Sequence, residues 1–591
     1  MKQFFKFLFA STLGTVLGLI LITLIFFFGL VGVVATMEEG ETDESLDENT
    51  ILQIKWESNI PDRATDDPFK GLDPFTMDVK QTMGLNQILK TIERAKNDKK
   101  IAGLLLDMET LPAGSGAMQE IRSRLMDFKS SGKFIYSYAN NYSQKAYYLS
   151  TVSDKIFINP EGFILFKGLN AQTMYLKNLL EKIGVEMQVI RGPNNKYKSA
   201  VEPLIYDHSS KANKEQTKAL LDAIWGDMLQ AVSSSRGIEI EELNKIADEL
   251  ALETAEKAKE LHFVDSVIYR DQLLDLLKEQ TNEEKLHLLS FSKYAKLIES
   301  KKCKKSKKTV AVIYAEGNIV QGESNENTIG SASLSKTIRK VRENDRVKAI
   351  VFRVNSPGGD ALAAEVIRRE LELAAKKMPV VVSMGNLAAS GGYWISTPGK
   401  FIFADAGTIT GSIGVFGIIP NFQNLLNKKI GVTFDGVQTN KNSDFIDVTK
   451  PMSAFQKEKL NNSIKRIYGN FVSLVAQSRN LDKAYVDSIA RGRVWAGKDA
   501  VKIGLVDSIG GLTEAVEYAA NLADLKDNYR LREYPVEKSF LEKIVEEMTG
   551  DVKTRFVKSE LGDFYIYYEE LTRLKNMKGV QARLPYLINV N

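Results

Sequence analysis

The two halves of this 591-residue chain repeat each other at a constant separation. Residues 104–108, four apolar residues around Asp107, recur as residues 350–354, four apolar residues around Arg353, and residues 147–151 recur as residues 393–397. The separation is the same for both pairs, whereas chance matches would scatter in register. A chain of this length also exceeds what one hydrophobic core supports. The sequence therefore predicts a duplicated domain.

The two copies differ at the positions where glycines and small hydroxyl residues would serve chemistry. The second copy carries Asn-Ser-Pro-Gly-Gly at 355–359 and Ala-Ser-Gly-Gly at 389–392. The first copy has Glu-Thr-Leu-Pro-Ala at 109–113 and Ser-Gln-Lys-Ala at 143–146, so it lacks the glycine turn and the serine. It keeps a basic cluster, Lys-Tyr-Lys-Ser-Ala-Val-Glu-Pro at 196–203, which the second copy lacks. We therefore expect one active site assembled from both halves.

The N-terminus predicts a membrane anchor. Lys2 and Lys6 precede an uncharged, mostly apolar stretch, residues 7–37, and about 20 residues suffice to cross a bilayer core. Acidic residues follow the stretch, so the positive-inside rule places residues 1–6 in the cytoplasm and the bulk of the chain outside it. This predicts a single-pass protein of a bacterial inner membrane with a periplasmic body. A cleaved signal peptide is the alternative, since residues 33–35 resemble a cleavage site.

The body divides at changes in composition. Residues 301–308 are a basic run that cannot bury itself and mark a boundary between the copies. The predicted segments are an acidic linker at 38–49, the first repeat at 50–300, the basic linker at 301–308, the second repeat at 309–530, and an amphipathic tail at 531–591. The tail is either a packed surface helix or a contact with other subunits or the membrane.

In the second copy, predicted strands alternate with predicted helices. Residues 361–377 show helical spacing, with Leu362, Val366 and further apolar residues on one face, and Gly385-Asn386 is predicted to turn the chain. Short turns between alternating elements indicate parallel strands and an α/β fold. Apolar, β-branched runs predict buried strands at 309–314, 348–354, 380–384 and 400–404.

Ser390 is the candidate nucleophile. It follows the third predicted strand, and parallel sheets form their sites at the carboxyl ends of strands. Its small neighbours would let a substrate backbone approach closely. The amide of Gly391 at a helix start and a second amide from the Gly358-Gly359 turn could form an oxyanion hole.

A serine hydroxyl needs a neighbouring base, and the second copy contains no histidine. His208 of the first copy could be borrowed, but an exposed or structurally satisfied histidine is the plainer interpretation. A lysine can act as the base if burial lowers its pKa from about 10.4 toward 7–8. Lys196 and Lys198 are both candidates, and on a strand only one of them could face the site.

Several motifs together resemble one family, the long, duplicated form of signal peptide peptidase A (protease IV). The resemblance covers nearly the whole chain, and this family is similar in fold to the Clp protease and crotonase superfamily. It implies two tandem Clp/crotonase-like α/β repeats with parallel sheets behind one N-terminal transmembrane helix. The motifs are Asn-Ser-Pro-Gly-Gly at 355–359, Ala-Ala-Ser-Gly-Gly-Tyr at 388–393, Thr-Gly-Ser-Ile-Gly at 410–414, the basic cluster at 196–203 and Gly-Val-Gln-Ala-Arg at 579–583.

The resemblance implies a role for each site residue. Ser390 would be the nucleophile and Lys198, rather than Lys196, the general base. Ser412 would orient the lysine amine, and Gly359 and Gly391 would supply the oxyanion-hole N–H groups. The implied activity is that of a serine endopeptidase, without metal or cofactor, that degrades released signal peptides and other extended apolar peptides as a homotetramer.

Two other interpretations stay open. One is an acyl-CoA hydratase or hydrolase on the crotonase scaffold, although no acidic catalytic pair stands near the glycine turn. The other is a membrane scaffold that keeps an inactive peptidase fold. Composition argues against further classes: the net charge is only +4 with both signs interspersed, which disfavours nucleic acid. One cysteine, Cys303, and three histidines disfavour a zinc site.

Overall fold

The computed structural model describes most of the body of the chain and part of its N-terminus. The predicted anchor at 7–37 lies partly outside the described residues; of it, residues 9–19 and 21–22 are helical. In the part of the chain that is described, no helix has both the length and the apolar character required to cross a bilayer. The described residues are 3, 6–7, 9–19, 21–22, 46–64, 82–192, 195–299, 306–325, 327–526, 528–536 and 580–583.

The first repeat alternates strands with helices. Its strands are β1 (Thr50–Ile54), β2 (Ile101–Asp107), β3 (Phe134–Ala139), β4 (Tyr142–Ser143), β5 (Lys155–Ile158), β6 (Ile164–Leu165), β7 (Glu186–Ile190), β8 (Ser266–Val267) and β9 (Leu288–Ser290). Its helices are α1 (Leu85–Asn97), α2 (Ser115–Lys129), α3 (Gln144–Ser150), α4 (Lys177–Ile183), α5 (Glu202–Ile205), α6 (Lys211–Arg236), α7 (Ile240–Glu249), α8 (Ala255–Glu260), α9 (Arg270–Thr281) and α10 (Phe291–Glu299). A 3₁₀ turn covers Ser199–Val201.

The rest of the chain follows the same plan with additions. Its strands are β10 (Thr309–Glu316), β11 (Asn318–Val320), β12 (Thr328–Gly330), β13 (Val347–Ser356), β14 (Gly358–Asp360), β15 (Val380–Ala389), β16 (Phe401–Ala404), β17 (Ile409–Gly411), β18 (Phe416–Asn421), β19 (Val494–Ala496), β20 (Ser508–Ile509), β21 (Arg530–Tyr534) and β22 (Val580–Arg583). Its helices are α11 (Ser331–Arg342), α12 (Ala361–Ala375), α13 (Gly391–Ser396), α14 (Ala454–Arg479), α15 (Lys483–Ile489), α16 (Gly497–Lys502) and α17 (Leu512–Leu522), with a π-helical turn at Leu425–Ile430.

Strand order shows the duplication directly. The first sheet runs β8-β5-β3-β2-β1-β9, and each of its pairs is parallel. The second sheet contains the same order as β20-β16-β15-β13-β10-β21, again parallel throughout. It adds a branch in which β17 pairs with β15 and β19 pairs antiparallel with β17. The predicted α/β fold with parallel sheets is confirmed.

Strand β13 shows why the central strands are apolar on both faces over most of their length. Ile350 and Phe352 pack on one face of the second sheet in the cluster that includes residues of α12. Ala349 and Val351 pack on the opposite face in the cluster that includes residues of α17. Because helices cover both faces, the strand has no polar alternation.

Two local predictions need correction. Gly385-Asn386 does not end a strand, because β15 continues to Ala389. In α12, the predicted face is buried at Ile367, Leu371 and Ala374, but Leu362 is 62% exposed and Val366 42% exposed. The helix packs through small alanines as well as large residues, and these alanines complete the buried face in place of Leu362 and Val366.

A buried ionic cluster ties the two repeats together. Arg353 of β13 is fully buried and donates to Asp62 at 2.8 Å and to Glu120 at 2.6 Å, both from the first repeat. It also donates to Ser383 of β15 at 2.8 Å. Burial and the neighbouring Glu120 carboxylate raise the pKa of Asp405 well above its usual value. Removing one partner from such a cluster typically costs about 3–5 kcal/mol, so it fixes how the repeats dock.

The third sheet is built from both repeats. Its order is β12-β11-β14-β22-β18-β7, and β7 of the first repeat pairs antiparallel with β18 of the second. The strand β14 that carries the glycine turn lies in this sheet beside β22. The sheet therefore brings the glycine turn and the strand that leads to the basic cluster to one side of the molecule.

Candidate active site

Ser390 stands in a strained connection between β15 and α13. Its φ of 57° and ψ of −112° lie in a region that residues other than glycine rarely adopt. Hydrogen bonds hold the strain: the Ser390 amide donates to the Gly411 carbonyl at 2.8 Å, and the Trp394 amide donates to the Ser390 carbonyl at 2.8 Å. The side chain is fully buried. This backbone fixes the direction of the hydroxyl before any substrate arrives.

Lys198 reaches that hydroxyl from the other repeat. It follows β7, and its Nζ lies 2.8 Å from the Oγ of Ser390. A loop of the second repeat closes over it: the Tyr197 amide donates to the Arg491 carbonyl at 3.0 Å. Gly492 of that loop has φ +80°, and a Cβ there would lie 2.6 Å from the Cβ of Lys198. Only a glycine permits this close approach.

The Lys198 amine is surrounded by oxygen atoms. Among the residues that the structure describes, none of its hydrogen-bond partners is a carboxylate. Besides Ser390, its Nζ contacts the carbonyl of Ser412 at 3.0 Å and the Oγ of Ser412 at 2.9 Å. The Ser412 hydroxyl donates onward to the Gly492 carbonyl at 3.3 Å. A neutral amine fits here, because it can donate both protons to Ser412 and accept the proton of Ser390. Burial lowers the pKa of Lys198 well below its usual value, which favours that neutral form.

Two backbone amides flank the serine. A Cβ on Gly391 would lie 3.1 Å from the nitrogen of Gly359, and one on Gly358 would lie 2.6 Å from the nitrogen of Gly391. The amides of Gly359 and Gly391 are therefore neighbours beside Ser390. Gly358 has φ +96°, and a side chain at Gly359 would collide with the carbonyl of Ile319 at 2.0 Å. Glycines are needed for this turn to lie against the serine, and the pair can serve as an oxyanion hole.

Comparison with known proteins identifies the family of the chain. The model of peptidase family S49 matches residues 127–284 and 372–526, more than half of the chain. The chain belongs to peptidase family S49. As an S49 member it is a serine peptidase, and the resemblance seen in the sequence is confirmed.

Two relatives align over most of the S49 chain. Protease 4 of Salmonella typhi is 39% identical over 486 residues, which cover 80% of this chain and 77% of that protein. The chloroplastic serine protease SPPA of Arabidopsis thaliana is 34% identical over 458 residues, 76% of this chain and 67% of that one. Among solved structures, ClpP1 of Listeria monocytogenes aligns with 35% of this chain and 94% of its own at 15% identity and a TM-score of 0.24.

The other basic candidates of this S49 peptidase lie outside the site. Lys196 is exposed and stacks on the ring of Tyr197 at 4.9 Å. The side chain of His208 is 77% exposed and pairs with Asp207. The alternation argument for choosing between the lysines was wrong in its premise, because residues 196–201 form a turn and a 3₁₀ turn rather than a strand.

Sequence reasoning missed Gln216 of α6. Its Nε2 donates to Ser199 Oγ at 2.9 Å and to the Tyr197 carbonyl at 3.1 Å. Its Oε1 accepts from the amide of Val494 in the second repeat at 3.3 Å. One buried amide thus fixes the lysine-bearing turn to the half that carries the serine. A lone glutamine in a long helix gives no sequence signal for such a role. Gly492 lies between two arginines, which is only a weak signal for a turn.

The first repeat of the S49 chain has a connection equivalent to the one that carries Ser390, and the side chain of Gln144 occupies it. Gln144 occupies the position that Ser390 holds in the second repeat. Its Oε1 accepts from the amides of Lys167 and Gly168, both at 3.0 Å, and its Nε2 donates to the Gly168 carbonyl at 3.2 Å. The amide side chain ties down a neighbouring segment instead of facing a substrate. The expectation of one site shared by two unequal copies agrees with this contrast.

Proposed function

We propose that this S49 member is an endopeptidase in which Ser390 is the nucleophile and Lys198 the general base. The observation that carries the proposal is the 2.8 Å approach of the Lys198 Nζ to the Ser390 Oγ inside a buried site. Ser412 orients the amine, and Gly359 and Gly391 are the oxyanion donors. The first repeat, residues 50–300, supplies the base, and the second, residues 309–530, supplies the nucleophile.

The contacts suggest the order of proton transfers. Lys198 takes the proton of the Ser390 hydroxyl as its Oγ attacks the scissile carbonyl. Negative charge develops on the carbonyl oxygen, beside the amides of Gly359 and Gly391. The lysine ammonium then donates its proton to the leaving amine, which departs and leaves an acyl-serine. Water, deprotonated by the neutral lysine, hydrolyses the ester and restores the enzyme.

Burial of the site favours extended substrates. Ser390, Lys198 and Ser412 are all 0% exposed, so a folded protein surface cannot reach them, whereas a strand-like peptide can enter beside the glycine turn. A relative from Enterococcus faecium, 35% identical over 181 residues, is named a putative signal peptide peptidase. We propose released signal peptides and other extended apolar peptides as the substrates.

A substrate comparison tests this function against the crotonase alternative. The purified full chain is expected to hydrolyse an internally quenched apolar peptide amide and to leave acyl-CoA thioesters intact. The reason is that Ser390 and Lys198 lie in contact as a nucleophile and base, the two groups that peptide hydrolysis through an acyl-serine requires. Product masses identify the bond cut. Thioester hydrolysis or hydration without peptide cleavage would replace the peptidase by an acyl-CoA enzyme, and inactivity toward both would favour the scaffold.

We further propose that residues 7–37 anchor the chain in a bacterial inner membrane, with the body in the periplasm and the particle a homotetramer. The lysines before the apolar stretch and the acidic residues after it support this orientation. Alkaline phosphatase fused after residue 50 is expected to be active and a cytoplasmic reporter at the same point inactive. The reverse pattern would contradict the topology, and the mass of the detergent-solubilised particle measures the oligomer.

A further inference from the structure

A loop of the second repeat, residues 491–493, holds both the candidate base and the serine beside it. In addition to its contacts with the lysine turn, it binds the Ser412 amide, which donates to the Arg493 carbonyl at 2.7 Å. Arg491 has φ +54° and Gly492 has φ +80°. Two successive residues therefore adopt the left-handed conformation, which is unfavourable for a residue other than glycine. A loop of this shape depends on contacts outside itself to stay in place.

The side chain of Arg493 supplies such contacts across the two repeats. Its guanidinium carbon lies 5.0 Å from the ring centre of Tyr197, the residue that precedes Lys198 in the first repeat. The same carbon lies 4.4 Å from the ring centre of Trp495 in β19 of the second repeat. The Trp495 ring is fixed in turn, because its Nε1 donates to the Ile489 carbonyl at 3.0 Å. The guanidinium therefore contacts one aromatic ring from each repeat.

A carboxylate adds a weaker link between the same side chains. Glu215 of α6 lies 3.4 Å from the Arg493 guanidinium, and the Tyr197 hydroxyl donates to Glu215 at 3.1 Å. The Glu215 side chain is 49% exposed, and an ion pair so open to solvent contributes little. A planar guanidinium on aromatic rings is a contact that a lysine ammonium reproduces only in part. Stacking is therefore the main contact of the Arg493 side chain.

We propose that Arg493 is a positioning residue for the general base. By stacking on one ring from each repeat, it keeps the loop 491–493 closed over Lys198, and so keeps the lysine amine buried against Ser390. Lys198 is 0% exposed, and Gly492 of the loop packs against its Cβ. The inference rests on the proposed peptidase function and deepens it, because it assigns a residue that acts on the reaction through the base.

Closure of the loop bears on the titration of Lys198. The titratable groups of the elements around it are Lys196 and Tyr197 on its own turn, Glu202 on α5, Glu215 on α6, Tyr393 on α13, and Asp487, Arg491 and Arg493 at the loop. The lowered pKa of Lys198 comes from burial rather than from these charges. Opening the loop to water would raise that pKa, so less of the amine would be neutral at neutral pH. Only the neutral amine accepts the serine proton.

The first experiment removes the guanidinium from the full chain in detergent. Arg493→Met keeps an apolar side chain and is expected to lower kcat/KM for a quenched apolar peptide at neutral pH by about 2- to 30-fold, the effect of one stacked cation. The rising limb of the pH profile should move to higher pH, and the rate should approach that of the wild type at the alkaline end. Arg493→Lys, which restores a cation, should recover part of the activity.

Lys196→Ala is the matched control. Lys196 is a second cation over the ring of Tyr197, at 4.9 Å, but it is exposed and belongs to the same turn as that ring, so it does not join the repeats. Its removal should leave the pH profile where it is in the wild type. Thermal unfolding reports whether each variant is folded.

Acylation of Ser390 by a small fluorophosphonate, measured over the same pH range, is a second readout. It follows the neutral lysine and requires no peptide cleavage. A shifted acylation profile in a chain that cleaves no peptide would therefore support the positioning role of Arg493 and refute the peptidase function alone.

Two results would overturn the inference. One is a folded Arg493→Met whose profile is not shifted, including one lowered by the same factor at every pH, because a merely structural contact would act in that way. The other is an equal shift in Lys196→Ala. If Arg493→Met does not fold, Arg493→Lys decides: a shift to higher pH supports the inference and an unshifted profile overturns it.

Discussion

Replacing Ser390 by alanine is expected to lower kcat for peptide cleavage by about 10⁴-fold or more while the fold is kept. The hydroxyl is the proposed nucleophile that forms the acyl bond, so its loss removes the covalent step. Removing one oxygen leaves the strained backbone and its bonds to Gly411 and Trp394 in place, so thermal unfolding should change little. Cleavage of the quenched peptide measures the rate, and a serine-directed fluorophosphonate should label the wild type at Ser390 only.

Ser396 provides the matched control for this change. It is a second buried serine in α13, and its hydroxyl donates to the Gly392 carbonyl at 2.8 Å within the helix. Ser396→Ala should retain turnover and labelling. Label on another residue, together with activity in Ser390→Ala, would show that the nucleophile lies elsewhere.

Replacing Lys198 by methionine is expected to lower kcat by about 10²–10⁴-fold, the usual contribution of a positioned general base. Methionine keeps the length and burial of the side chain but cannot accept the Ser390 proton. The folded state should be as stable as the wild type or more so, since a buried amine is costly. Loss of activity without loss of stability, measured by thermal unfolding, distinguishes a chemical role from a packing role.

The pH profile gives the same assignment an independent test. Burial lowers the pKa of Lys198, and only the neutral amine accepts a proton, so kcat/KM should rise with pH through that lowered pKa and then level off.

Ser412→Ala should keep part of the activity, with a loss of about 3- to 10-fold for one hydrogen bond. Lys196→Ala should leave the rate unchanged. An inactive His208→Ala variant together with an active Lys198→Met variant would identify the histidine as the base.

The parallel α/β core could be predicted because the sequence signals for it are local. Strand β13 is buried on both faces and contains the uninterrupted apolar run 349–352, which stands out in the sequence. The duplication of the domain followed from sequence matches at constant separation. Ser390 could also be identified as the candidate nucleophile from the sequence. The small residues and glycines on both sides of it are typical of a site that a substrate backbone approaches closely.

The parts that could not be predicted depend on contacts distant in sequence. The strand β15 continues through Gly385-Asn386 because neighbouring strands and Thr408, which donates to the Gly385 carbonyl at 2.7 Å, hold it extended. Gln216 and Gly492 act only once both halves have docked. The position of β22 in the third sheet likewise depends on its partner strands β14 and β18, which are more than one hundred residues away in sequence.

The division of the site between repeats has a consequence for the timing of biosynthesis. Lys198 and Ser390 are 192 positions apart, so at about 5–20 residues per second the ribosome adds the serine about 10–40 s after the lysine. Until the second half has been made and docked, the chain carries the candidate base without the candidate nucleophile. A newly made molecule is therefore expected to be inert toward peptides during its own synthesis and to gain activity only when the two repeats have docked.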